Sequence, residues 1–173
     1  MRKQMWLLGA TKRQASALRM EGFMFLGTTV LAFYQSRVPR ATIEAYLATD
    51  YRIHGDWPLV LRIGQADEQL AALYRKHAVQ QAALLTAWNP FSEPRLDAEN
   101  RAEQVRLISK LDRLNLQHQP AHGADPTGQW PPEDSRLVLG LDLATAVSLG
   151  RQFSQNGFVW AAADATPTLI LLR

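Results

Sequence analysis

From Ala82 to Trp88 the chain carries almost nothing but apolar side chains, and Asn89-Pro90 ends the run abruptly. A short apolar stretch closed by a turn-forming pair reads as a central β-strand buried on both faces. The segments around it supply candidates for its neighbours and its cover. Between Glu99 and Leu114 the positions Ala102, Val105, Ile108, Leu111 and Leu114 recur at helical spacing, with Arg101, Glu103, Arg106 and Lys110 elsewhere, which predicts an amphipathic helix. His118 to His122 and Arg136 to Leu141 read as strands. Asp142 is placed to cap a helix whose inner stripe is Leu143, Ala146, Val147, Gly150 and Phe153. Phe158 to Ala163 and Thr168 to Leu172 form a hairpin pattern.

Taken in order from Ala82, this is strand, helix, strand, strand, helix, strand, with one strand added. The expected fold is therefore α+β and ferredoxin-like, the split βαβ arrangement, with an antiparallel-rich sheet and helices on one face. N-terminal to it, Thr42 can cap a short helix carrying Ile43, Tyr46 and Leu47 on one face. Asp50 to Ile53 and Leu59 to Ile63 read as extended, and Asp67 starts a helix through His77. These additions can extend the sheet or shield its other face.

Charge divides the chain at residue 40. The first 40 residues hold seven Lys or Arg against the single Glu21, a net +6, whereas residues 41–173 hold twelve basic and fifteen acidic groups, a net −3. The expected organisation is a basic and apolar arm, 1–40, and a single α+β domain, 41–173. The domain body lacks the clustered positive face that phosphate binding needs, so nucleic-acid contact would fall to the arm. Within the arm, the apolar run 22–34 is too short to span a membrane, which takes about 20 residues. Three readings of the arm stay open: a docked helix or strand, a weak membrane-surface anchor, or extra residues from a start codon placed upstream of Met20 or Met24. The chain has no cysteine, which removes thiolate chemistry and leaves a cytosolic address as the default. Gly-rich phosphate loops, Gly-x-Ser-x-Gly elbows and His-Glu-x-x-His helices are also absent from the sequence.

Several polar motifs remain. Thr86-Ala87-Trp88-Asn89-Pro90, Asn100, Gly123-Ala124-Asp125-Pro126-Thr127-Gly128-Gln129-Trp130, Glu133-Asp134-Ser135 and Gly150-Arg151-Gln152-Phe153-Ser154-Gln155-Asn156 form a spaced set. In these segments the chain resembles a bacterial family catalogued as domain of unknown function 3293, over roughly residues 41 to 172. The resemblance implies no activity and carries over no catalytic role.

Each motif has a ligand-directed reading and a structural one. Trp88 can stack on a planar ligand while Thr86, Asn89 and Asn100 present polar groups at the strand's carboxyl end; equally, Trp88 can fill core and the amides can satisfy backbone. Asp125-Pro126-Thr127-Gly128 has the residues of a type I turn, which accounts for it without a ligand, or Asp125 can act as a general base. Glu133 and Ser135 frame a strand entry and, with Asp125, can pair two carboxylates with a hydroxyl. Trp130 lies in the same loop. Gln155 sits beside the inner stripe of the second helix, where a buried amide needs partners, and Asn156-Gly157 reads as a left-handed helix stop. His118, His122 and Asp125 mimic a metal spacing, but residues four apart on a strand stand about 13 Å apart, too far for one ion. No cofactor and no metal is therefore expected. The leading expectation is a module binding a small polar molecule or a protein. The rival is an enzyme using Asp125 or Glu133 as acid or base, and nucleic-acid contact through the arm comes third.

Overall fold

The computed structural model describes residues 36–128 and 130–173; the basic arm up to residue 35 lies outside the described residues, and so does the question of which reading of it holds. Four α-helices and seven strands alternate along the described chain: α1 (Arg40–Ala48), β1 (Asp50–Ile53), β2 (Leu59–Leu61), α2 (Glu68–His77), β3 (Ala82–Leu85), a 3-10 turn (Pro90–Ser92), α3 (Asp97–Arg113), β4 (His118–Ala124), β5 (Glu133–Leu139), α4 (Leu143–Gln152), β6 (Gly157–Ala161) and β7 (Pro167–Leu171). The strands form one α+β sheet in the order β2-β1-β4-β5-β3-β6-β7, with every neighbouring pair antiparallel.

β3 is buried at all four positions, as its composition requires, because the two faces of the sheet pack against different layers. On one face Leu107 and Leu111 of α3 and Ala146, Val147 and Leu149 of α4 meet Ala83, Leu85, Val138, Trp160 and Ile170. On the other, Leu70, Leu73 and Tyr74 of α2 meet Tyr51, Ile53, Leu61, Leu84, Leu137 and Val159. Ile43 of α1 packs on Leu169 and Leu171 beside them. The sheet curls, and its two edges are tied by N–H bonds from Gly64 to the Pro167 carbonyl (2.8 Å) and from Asp67 to the Ala165 carbonyl (3.1 Å).

Local expectations fare unevenly. Asp67 and Asp142 cap their helices, accepting from Leu70 N–H at 2.7 Å and Thr145 N–H at 2.9 Å. Thr42, expected as a cap, lies inside α1, which follows Pro39 directly. β3 ends at Leu85 rather than reaching Trp88. The inner stripe of α3 also differs: Val105 and Leu114 are exposed, while Asn100, Gln104, Leu107 and Leu111 are buried. The helix turns two amides inward because the chain leaving β3 has backbone N–H groups that lack sheet partners. The left-handed stop after α4 is Ser154 (φ 54°), not Asn156, with Gln155 N–H closing on the Gly150 carbonyl at 2.9 Å.

Candidate site at the end of the sheet

Beyond Leu85 the chain bends out of the ladder, and side chains take over its hydrogen bonds. Thr86 Oγ1 donates to the Asp134 carbonyl (2.7 Å) and accepts from Trp88 N–H (2.9 Å). Gln104 Oε1 accepts from Ala87 N–H, and Asn100 Oδ1 from Asn89 N–H, both at 2.9 Å. Gln155 Nε2 donates to the Trp88 carbonyl at 3.1 Å. The amides of α3 and of the α4–β6 connection therefore serve as partners for a strand end that has left the sheet.

This scaffold holds Asn89 in one orientation. Its Oδ1 accepts from Asn100 Nδ2 (2.8 Å) and from Arg95 N–H (3.1 Å), which leaves its Nδ2 to donate to Glu133 Oε1 at 2.6 Å. Asn100 is only 1% exposed, so the pair is fixed from beneath. Glu133 opens β5 and is partly buried. In the register of β1, β4 and β5, Tyr51 stands opposite Gly123 and Gly123 opposite Glu133, so a residue without a side chain separates the phenol from the carboxyl. Burial pushes the Glu133 carboxyl above its ordinary value, opposed by the Asn89 hydrogen bond. No salt bridge among the described residues involves Glu133.

A second set of side chains, from α1, β1, the 3-10 turn and the α4–β6 connection, lies within electrostatic reach of Glu133. Tyr46 Oη and Ser92 Oγ lie 2.6 Å apart, Asn156 Nδ2 donates to Ser92 Oγ at 3.0 Å, and Tyr51 Oη donates to the Tyr46 carbonyl at 2.9 Å. Burial raises the pKa of both phenols, and the Glu133 charge adds to it, so both stay protonated. The loop between these groups is strained: Asn89 (φ 43°), Phe91 (φ 56°) and Ser92 (φ 59°) are all left-handed, as is Ser154, whose carbonyl accepts from Phe91 N–H at 2.8 Å. Left-handed backbone costs a non-glycine residue about 1–2 kcal/mol, and such strain collects where function fixes the chain.

Of the residues singled out in the sequence, Asn89, Asn100 and Glu133 are joined directly, and Thr86, Trp88 and Gln155 connect through the Trp88 backbone. Asp125 is engaged differently. Its carboxylate accepts from Thr127 N–H (2.9 Å) and Thr127 Oγ1 (2.7 Å), and Gly128 N–H closes the turn on its carbonyl at 3.0 Å. Ser135 is buried with its hydroxyl unpartnered among the described residues, and Trp130 is 57% exposed. His118 pairs with Asp112 at 3.0 Å and His122 Nδ1 with His54 Nε2 at 2.6 Å, so the apparent metal triplet is dispersed; among the described residues no group of three or more His, Asp or Glu could hold an ion. Sequence reasoning did not select Tyr46, Tyr51, Ser92 or Gln104, and gave Asn156 only a structural part. Two open grooves, of about 540 and 270 Å³, run along α2, but their walls hold none of the Asn89–Glu133 side chains, and Asp67 there serves as a helix cap.

No curated protein and no solved structure matches the chain. A family model described as Protein of unknown function (DUF3293) matches residues 85–157. That stretch holds Asn89, Ser92, Asn100, Gln104, Glu133 and Asn156, while Tyr46 and Tyr51 come from outside it. Over residues 85–157 the chain therefore resembles the Protein of unknown function (DUF3293) family.

Proposed function

We propose that the protein is a binding module for a small polar molecule, received at the end of the sheet between Glu133, Tyr46, Ser92 and Asn156. One observation carries this reading: Glu133 is a partly buried carboxyl whose one oxygen is fixed by Asn89 at 2.6 Å, beside a loop of left-handed residues. A fold gains nothing from burying a carboxyl without a counter-charge, because desolvation opposes it. A site that must meet a ligand supplies the reason. Trp88, Phe91 and Trp130 belong to the segments bordering this end, and the reading gives them the apolar part of the ligand. The fold underneath is read as split βαβ, supported by the order β4-β5-β3-β6 with α3 and α4 on one face. A bacterial cytosolic setting belongs to the same reading and rests on the family resemblance and the cysteine-free sequence.

A second reading, catalysis, draws on the raised Glu133 carboxyl, since a carboxyl shifted toward neutrality can exchange protons with a bound substrate. In that case Glu133 is the acid or base and Asn89 its positioning residue; Asp125, committed to its own turn, is a weaker candidate. A thermal-shift screen of a metabolite library on the full chain tests the proposal. Hits should disappear in Glu133→Gln and weaken in Asn89→Ala; hits that survive both substitutions would place the ligand elsewhere. Turnover of a hit, abolished in Glu133→Gln, would select the enzyme over the module.

A further inference from the structure

The charge balance around Glu133 narrows the class of ligand. Its Oε1 is occupied by Asn89, and its Oε2 receives no hydrogen bond from any described residue; nor is Oε2 among the polar atoms sealed from solvent without a partner. The side chains that hydrogen-bond at this end of the sheet are otherwise neutral, Tyr46, Tyr51, Asn89, Ser92, Asn100 and Asn156; the charged groups nearby, Asp134 and the Arg173 guanidinium 4.4 Å over the Phe91 ring, form no ion pair with Glu133. One of the Tyr46 and Ser92 hydroxyls donates to the other, and Ser92 Oγ also accepts from Asn156 Nδ2, so Tyr46 Oη is the oxygen that keeps acceptor capacity in either arrangement. The polar face is thus one carboxylate and the Tyr46 phenol oxygen beside Ser92, with the Tyr51 phenol buried in the core behind them. A carboxylate without a counter-charge beside a neutral hydroxyl acceptor suits a cation. An anion would meet the Glu133 charge with no Lys or Arg ion-paired to offset it among the described residues.

Resting on the site proposed above, we infer that the ligand carries a positively charged nitrogen, an ammonium or guanidinium group, which pairs with Glu133 Oε2 beside the Tyr46 and Ser92 hydroxyls. Gly123 deepens this arrangement. It lies between Tyr51 and Glu133 in the sheet register, and a Cβ there would come within 3.3 Å of the Thr49 methyl. The Thr49 methyl thus packs where a side chain at 123 would stand, so glycine lets this contact form between phenol and carboxyl.

The test uses the full chain, labelled with nitrogen-15, and three probes sharing one tail: n-butylammonium, n-butanol and n-butyrate. At neutral pH n-butylammonium should shift the backbone amides of Tyr51, Gly123 and Glu133 and bind at least tenfold tighter than the other two. The effect should vanish in Glu133→Gln and persist in Asp134→Asn, which removes an exposed neighbouring charge. Should Glu133→Gln fold poorly, the wild-type affinity for n-butylammonium supplies the second measurement: it must fall as pH drops and Glu133 protonates, since Tyr46 and Tyr51 remain neutral throughout. Equal binding of n-butanol or n-butyrate at the same amides would overturn the charge inference and leave the site standing. Retained n-butylammonium binding in Glu133→Gln would also overturn it. If no probe moves these amides, the site and the inference fall together.

Discussion

Replacing Asn100 by Ala tests whether the amides of α3 hold the site in place. The substitution removes the acceptor of Asn89 N–H at 2.9 Å and the donor to Asn89 Oδ1 at 2.8 Å. Leaving a buried N–H unpartnered costs about 1–3 kcal/mol, and the second bond adds about 0.5–1.5 kcal/mol. Alanine returns roughly 0.5 kcal/mol of helix propensity. The net loss expected is about 1–4 kcal/mol, which lowers the thermal midpoint by about 2–16 °C for a chain of this size. Urea denaturation with an unchanged m-value should report the same loss as a midpoint about 0.5–2 M lower. Val105→Ala, on the exposed face of the same helix at 60% exposure, is the reference and should stay within about 0.5 kcal/mol. If Asn100→Ala costs no more than Val105→Ala, the two amide bonds do not hold the loop and the preorganisation argument fails.

Glu133→Gln should stabilise the unliganded protein at pH 7. Its raised pKa means the folded state binds the proton more tightly, so ionised Glu133 weakens the fold above the unfolded carboxyl value of about 4.3, increasingly as pH rises through the folded value. The advantage of Gln should shrink to nothing in denaturation curves run below pH 4, and an advantage independent of pH would contradict the assignment. Asn89→Ala, by removing the bond that holds the carboxylate down, should move the Glu133 carboxyl titration, followed by carbon-13 NMR, further upward; a downward movement would refute it. Ser135→Ala should be neutral or stabilising in calorimetry, because the hydroxyl is buried without a described partner and gives up no bond. Gly157→Ala should destabilise by about 1–3 kcal/mol in urea, since its Cβ would stand 2.6 Å from the Ile170 backbone oxygen. Gly150→Ala should cost less, because its 2.6 Å contact is the end of the Leu172 side chain, which can move.

The sequence made the layers readable and the site only partly so. β3 and α4 follow from local signals, since four consecutive buried positions leave no polar face and Asp142 is an effective cap. The face of α3 does not follow, because two stripes fit its period. The apolar stripe through Val105 is the natural choice until the exit of the chain at Thr86 creates a need for buried amides. Asn89, Asn100 and Glu133 could be named in advance as polar residues near one strand end, but their bonding order depends on which N–H groups the ladder leaves over. Tyr46, Ser92 and Asn156 carry no mutual signal at all: they come from a helix, a left-handed turn and a helix exit far apart in the chain, and only the closed packing joins them.

The bonds from Gly64 to Pro167 and from Asp67 to Ala165 have a consequence for self-association. Open sheet margins are templates on which a second chain can grow fibrils or exchange strands. Here one margin is the three-residue β2 and the other begins at Pro167, which has no N–H to offer, and the link runs from the chain just past β2 to the Pro167 carbonyl and to Ala165 just before β7. Concentrated solutions should therefore resist strand exchange for as long as that link holds, and lengthening residues 62–66 is the change that would release the margins to pair with a neighbour.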